Sequence, residues 1–414
     1  MRIAYVCADP GIPVFGCKGC SLHVQEMLRA LVNLGMNVTL FAAKQGGDPP
    51  GDLRKITCHI LPPQAQPGQK PDRAQREQQA MDAHDWFLQA LQQEGDFDLV
   101  YERYSLWSHA GTAYASRHAI PSVLEVNAPL MEEAKNYRGL IHEQQARQIA
   151  RQNFQRASLI CCVSQAVADY VQSFAPARGR GKAALPAIVT PNAVNPRRFA
   201  AFSTARAPRE HSADLVIGFM GTLKPWHGID YLLHAFARFQ QENPSRKARL
   251  LIIGDGPQRA AMEELARQLH IDDRIQSTGA VAPDDVPGWL EKMDIAVAPY
   301  PPLENFYFSP LKVFEYMAAG LPVIASDMGQ IKDLVQHGEN GLRVPPGSVM
   351  DLTEALQFLA DHPQQAAQMG RRARQYILEH YTWDTVAQRV LTQCLDNHEK
   401  NASLARPATQ RNAN

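Results

Sequence analysis

The sequence predicts an α/β protein built from two doubly wound domains. Three observations predict it. The chain has 414 residues, and one hydrophobic core rarely grows past roughly 250–300 residues. Apolar β-rich runs alternate with helical stretches, which implies βαβ units and a parallel sheet. The alternation lapses near residue 200 and restarts at residue 214, so the chain holds two similar halves.

The first half opens with the strand RIAYVCA and a helix from Ser21 to Leu34. Val24, Met27, Leu28, Leu31 and Leu34 share one face of that helix, and Gly35 suits its end. NVTLFAA is the next strand, residues 62–71 form a Pro- and Gln-rich loop, and a polar helix runs to about Gln93. DLVYER, PSVLEVN and ASLICCVS read as buried strands. Residues 200–213 lack apolar periodicity and read as a linker. In the second half DLVIGFMGTL, ARLLIIGDG, RIQSTG, DIAVAPY and PVIAS are strands, with helices from Gly228, Pro257 and Pro310. The expected organisation is an N-terminal domain over 1–199, the linker, a second domain over 214–380, a helix over 381–396 packing back on the first domain, and a disordered polar tail over 397–414.

Composition excludes some classes. The 42 Lys and Arg balance 42 Asp and Glu, so nothing points to nucleic acid. No apolar run approaches the roughly 20 residues of a membrane span, and the N-terminus lacks a signal-peptide pattern. The odd count of 7 cysteines, several in apolar runs, fits reduced thiols. The expected location is the cytoplasm.

In open α/β sheets ligands bind outside the carboxyl ends of the strands, and the informative segments lie there. In SPLKVFEYMAAGLPVIAS (309–326), Ser309 suits a helix N-cap and Pro310 the first helical position. Leu311 and Lys312 then fall where backbone N–H groups lack intrahelical partners and the helix dipole is positive. Such a start binds anions, and Lys312 adds a full charge. Glu315 lies on the same face and suits two adjacent hydroxyls, as on a ribose. The expected ligand is a diphosphate with a ribose beside it. An ordinary capped helix with a surface Lys–Glu pair fits the same residues equally well.

That segment resembles the nucleotide-binding signature of glycosyltransferase family 4, retaining enzymes of the GT-B fold. GTLKPWHG (221–228), LIIGDGP (251–257), STGAV (277–281) and PNAVNPRRF (191–199) follow the family's order and spacing, and YERYSLWSHAG (101–111) and LEVNAPL (124–130) resemble one branch of it. The resemblance implies two doubly wound Rossmann-like domains facing a central cleft. It implies a nucleoside-diphosphate sugar held by the second domain, an acceptor held by the first, and transfer with retention, without a cofactor or bound metal. The acceptor is left open among a sugar, a lipid-linked glycan, a polysaccharide and a small molecule.

Roles follow by position. Glu315 matches the second of two family glutamates, the ribose-binding one, and the first falls on Tyr307. An Arg and a Lys that neutralise the diphosphate in the family fall on Thr222 and His227. Lys224, Lys312 and a protonated His227 are therefore expected to share the phosphate charge, the main catalytic electrostatics. Asn127 stands where the family often has a donor-contacting His. Glu125 points the same way by strand alternation; a donor-facing carboxylate and a paired carboxylate inside the domain both remain open. Backbone near Gly279–Val281 is expected to meet the base, with Ser309, Leu311 and Val281 lining the donor site. Gly16, Gly19 and Ser21 form the expected acceptor-side loop, with Ser21 capping the helix.

Other motifs carry less. Cys17 and Cys20 form CxxC with His23 nearby, but no second pair completes a zinc site. Gly254 and Gly256 lack the rest of a dinucleotide fingerprint, which argues against a nicotinamide-dependent oxidoreductase. Asp272-Asp273 and Asp284-Asp285 are adjacent, not spaced to bridge a metal. The run Arg178–Lys182 is a basic loop, solvated or touching acidic lipid as a peripheral membrane contact. The substitutions at Tyr307, Thr222 and His227 leave a non-catalytic nucleotide-sugar or glycan-binding protein as the second reading.

Overall fold

The computed structural model describes residues 1–63, 71–175, 184–202 and 214–405. Residues 64–70, the basic run at 178–182, most of the expected linker and the last residues of the expected tail lie outside these. The chain divides into two compact units, Met1–Pro191 with Trp383–Asn414, and Asn192–Thr382.

The first unit carries seven parallel strands: β1 (Arg2–Cys7), β2 (Asn37–Ala42), β3 (Thr57–Ile60), β4 (Leu99–Arg103), β5 (Ser122–Val126), β6 (Leu159–Cys162) and β7 (Ala187–Val189). Their order is β3-β2-β1-β4-β5-β6-β7. β1, β4, β5 and β6 are almost wholly buried, which is why they read as continuous apolar runs rather than alternating ones. Order reverses at β1, so a crevice opens where the loops after β1 and β4 part company.

The second unit repeats the plan with β8 (Leu215–Met220), β9 (Ala248–Ile253), β10 (Ile275–Ser277), β11 (Ile295–Ala298), β12 (Val323–Ser326) and β13 (Leu342–Val344). The order is β10-β9-β8-β11-β12-β13, again all parallel. Alternate residues fill two cores. Ile217, Phe219, Leu250, Ile252, Ile295 and Val297 face one. Val216, Met220, Leu251, Ile253, Ala296 and Ala298 face the other. Helices therefore cover both faces, as a doubly wound sheet requires. The reversal at β8 places the loops after β8 and β11 beside one crevice.

Two boundaries differ from the sequence expectation. Residues 192–199 belong to the second unit, not the first. Phe199 is fully buried in the second unit's core, and Val194 N donates to Tyr381 O at 2.9 Å. The last helix runs Trp383–Ala405, through residues expected to be disordered. Trp383 sets its ring edge-on to His23 at 4.7 Å, Cys394 is buried, and Asn397 Nδ2 donates to Ser158 O at 3.3 Å. The helix thus keeps an anchored face as far as Asn397. No described helix is long and apolar enough to cross a membrane.

Candidate functional site

In the second unit the Gly221–Gly228 loop is held closed by close backbone approaches. Gly228 has φ +67°, and a Cβ there would stand 1.8 Å from Pro299 O. Only glycine fits, so this loop is pinned to the one that follows β11. A Cβ on Gly254 would stand 2.2 Å from Gly221 O. The GDGP glycines therefore serve loop packing.

The helix after β11 spans Leu311–Ala318, with the extended Pro310 before it. Ser309 does not cap it, contrary to the expectation. Its hydroxyl accepts from Asn192 N at 2.9 Å and donates to Gln330 Oε1 at 2.5 Å. Asn192 Nδ2 also donates to Ser309 O at 2.6 Å. Ser309 thus braces the approach to the helix, and its first-turn N–H groups have no side-chain cap.

Lys312 is the second residue of that helix and is buried. Its Nζ has no hydrogen-bond partner among the described residues. It lies 4.3 Å from the Phe219 ring centre and 5.2 Å from that of Tyr300. Cation–π attraction offsets part of its desolvation, about 0.5–2 kcal/mol per ring. Burial still lowers its pKa to about 7. A buried ammonium at an uncapped helix start, without a counter-charge among the described residues, is an arrangement that an anion would complete.

His227 faces the same two rings, 6.3 Å from Phe219 and 5.9 Å from Tyr300. Its Nδ1 hydrogen-bonds the Thr222 carbonyl. Burial, then the Lys312 charge, push its pKa down to about 4, against the pull of that bond. The expectation of a protonated His227 is therefore corrected: near neutral pH the ring is uncharged, with Nδ1–H donating and Nε2 an acceptor. Lys224 is half-buried, its Nζ 5.6 Å from the Trp226 ring centre. Thr222 is exposed. Lys224, His227, Thr222 and Lys312 thus gather at one end of the sheet.

Glu315 is fixed by a residue the sequence reading missed. Arg198 Nη1 donates to Glu315 Oε1 at 2.9 Å, and its Nη2 donates to Pro283 O. Arg198 links the carboxylate to the loop that contains Val281. Val281 is half-buried against the second core, as is Tyr307's neighbour Phe308. Tyr307 and Leu311 are half-buried, with the Tyr307 ring tilted on Phe308 at 4.4 Å. No local signal marks Arg198, which lies 117 residues from Glu315.

The remaining candidates lie in the first unit. Glu125 is the paired carboxylate of the two alternatives. Tyr101 Oη and Arg103 Nη1 each donate to it at 2.7 Å, His23 Nε2 lies 3.0 Å away, and Asn127 Nδ2 donates as well. Burial raises its pKa, but His23, Arg103 and Tyr101 outweigh burial and hold the carboxyl well below the usual range. Asn127 is half-buried at the end of β5, its amide committed to Glu125. Gly16 O accepts from Gln25 Nε2 at 2.9 Å. Ser21 does not cap: the helix spans Gly19–Asn33 with Lys18 before it, so Ser21 is already inside the first turn and fully buried. All seven cysteines are free thiols, and no described group of three or more His, Cys, Asp and Glu could hold a metal.

Two family models match the chain, one after the other. A family model described as Glycosyltransferase Family 4 matches residues 18–198, and one described as Glycosyl transferases group 1 matches residues 214–362. Among curated relatives, the D-inositol 3-phosphate glycosyltransferase of Jonesia denitrificans is 26% identical, covering 93% of this chain and 94% of its own length. The MMP alpha-(1->4)-mannosyltransferase of Mycolicibacterium hassiacum is 24% identical, covering 90% and 93%. Among solved structures, Anabaena HepE in complex with UDP and glucose superposes with a TM-score of 0.68 at 18% identity, covering 96% of this chain and 100% of that one. Sucrose-phosphate synthase from Thermosynechococcus elongatus gives the same score and identity, covering 98% and 100%.

Proposed function

This chain is a glycosyltransferase of the GT-B fold class, and from that premise we propose that it moves a sugar, with retention, from a nucleoside diphosphate. The observation that carries the donor reading is Lys312: a buried ammonium at an uncapped helix start, without a hydrogen-bond partner among the described residues. A diphosphate supplies the missing charge. Lys224 adds a second cation from the β8 loop, and the helix N–H groups add dipoles. These groups stabilise the charge that grows on the leaving phosphate, in a site where they need not reorganise. No bound metal is required for that task.

His227 acts here as a neutral ring. Its Nε2 accepts a hydrogen bond from a hydroxyl of the donor, while its Nδ1 stays on Thr222. Glu315, aimed by Arg198, receives the ribose hydroxyls. Backbone near Gly279–Val281 meets the base, and Tyr307, Ser309 and Leu311 wall the donor site. The Gly16–Ser21 loop of the first unit binds the acceptor. The acceptor is a hydroxyl on a sugar, a small polyol or a lipid-linked glycan, and the enzyme works in the cytoplasm or at the inner face of the membrane.

The test is turnover of purified protein on a panel of UDP-, GDP- and ADP-sugars with soluble pyranosides and inositol phosphate as acceptors. The product's anomeric configuration is read by proton NMR. Release of nucleoside diphosphate with a retained anomer supports the reading. An inverted product, or turnover that demands a divalent cation, refutes it.

A further inference from the structure

We propose that Trp226 is a platform on which a pyranose ring stacks beside the diphosphate. The proposal rests on the phosphate reading of Lys224 and Lys312.

Trp226 is 38% exposed, whereas Trp107 and Trp383 are 9% and 4% exposed. Trp289, half-buried, has its ring covered by Lys292 Nζ at 3.7 Å. Exposing an indole sacrifices burial, which a stacked ligand would restore. The backbone that carries Trp226 is held. It is the middle residue of the short helical turn Pro225–His227. His227 N closes that turn on Lys224 O at 3.0 Å, and the His227 ring ties back to Thr222 O. Gly228, pinned against Pro299, anchors the end.

The position identifies the ligand. Trp226 follows Lys224 by two residues, and Lys224 Nζ lies 5.6 Å from its ring centre. In a nucleotide sugar the pyranose is bonded directly to the outer phosphate. The acceptor sugar must approach the same anomeric carbon. A pyranose presents polarised C–H groups on one face, and an indole face carries the negative side of the ring quadrupole. Either pyranose has the chemistry Trp226 offers.

The experiment compares wild type, Trp226→Ala and Trp226→Phe by titration calorimetry with UDP, UDP-glucose, GDP and GDP-mannose. Methyl α-glucoside and methyl α-mannoside are then added to the nucleotide complexes. Melting curves check that each variant is folded. The expected result is at least a tenfold loss with Trp226→Ala, and a smaller one with Trp226→Phe. The loss falls on nucleotide-sugar affinity if the donor sugar stacks, or on methyl glycoside affinity if the acceptor does. Affinity for UDP or GDP stays within twofold. Unchanged affinity for both sugar probes overturns the proposal, as does an equal loss with the bare nucleotide. Failure of wild type to bind any bare nucleoside diphosphate marks failure of the phosphate reading instead.

Discussion

Lys312 Nζ lies 4.3 Å from the centre of the Phe219 ring, with no hydrogen-bond partner among the described residues. The contact explains how an ammonium is kept in a buried place without an acid beside it. The ring face attracts the charge weakly, and a bound anion attracts it strongly. Wherever Lys312 is protonated, the ligand-free protein therefore carries an unfavourable buried charge.

That cost predicts a stability gain on its removal. Burial lowers the folded-state pKa of Lys312 from 10.5 to about 7. Between those values the unfolded chain binds more protons, so stability rises with pH across that window. Below about pH 7 the full penalty applies. Lys312→Met should raise the melting temperature by roughly 2–6 °C at pH 6, about 1–2 kcal/mol. The gain should shrink toward pH 10. Calorimetric melts of both proteins at several pH values check this; a variant less stable at pH 6 would contradict it.

Arg198 is predicted to act on the donor through Glu315. Arg198→Ala frees the carboxylate from its 2.9 Å ion pair and unties the Pro283 loop. Nucleoside-diphosphate affinity should fall about tenfold, near 1.4 kcal/mol. Glu315→Gln should produce a loss of similar size, and the double variant little more, because the pair works as one unit. Additive losses in the calorimetric cycle would separate the two residues.

Glu125 is predicted to support the first unit's fold. Glu125→Gln leaves Arg103 buried without its counter-charge and should cost about 3–5 kcal/mol in urea denaturation. The wild-type carboxylate pKa is depressed, so its contribution is present above the unfolded value near 4.5 and is lost only as the pH falls into acid. A variant within 1 kcal/mol of wild type, on the roughly ±0.5 kcal/mol scale of surface changes, would contradict this.

These relationships also mark what the sequence could disclose. Fully buried parallel strands such as β5 and β12 stand out as apolar runs, and the repeat of strand–helix units makes two doubly wound sheets legible. Lys312 and Glu315 are legible because they share one local helix start. A cap expected from local sequence fails where distant residues compete for the hydroxyl. Asn192 and Gln330 take Ser309, and neither is near it in the chain. Ser21 lies one step deeper in its helix because that helix already starts at Gly19. The charge on His227 depends on burial and on Lys312, neither of which its own turn displays. Arg198 sits in PNAVNPRRF, a segment read for its place in the order, and only the fold carries its side chain to Glu315.

Titration calorimetry of nucleoside diphosphates at pH 8, in two buffers of different ionisation enthalpy, tests whether Lys312 holds the diphosphate. Lys312 is then mostly uncharged in the free protein, and a bound diphosphate restores its charge. Binding should take up nearly one proton. Affinity should weaken up to tenfold per pH unit above about pH 7, and Lys312→Met should abolish both the uptake and most of the affinity. Tight binding with no proton uptake, retained in Lys312→Met, would contradict it.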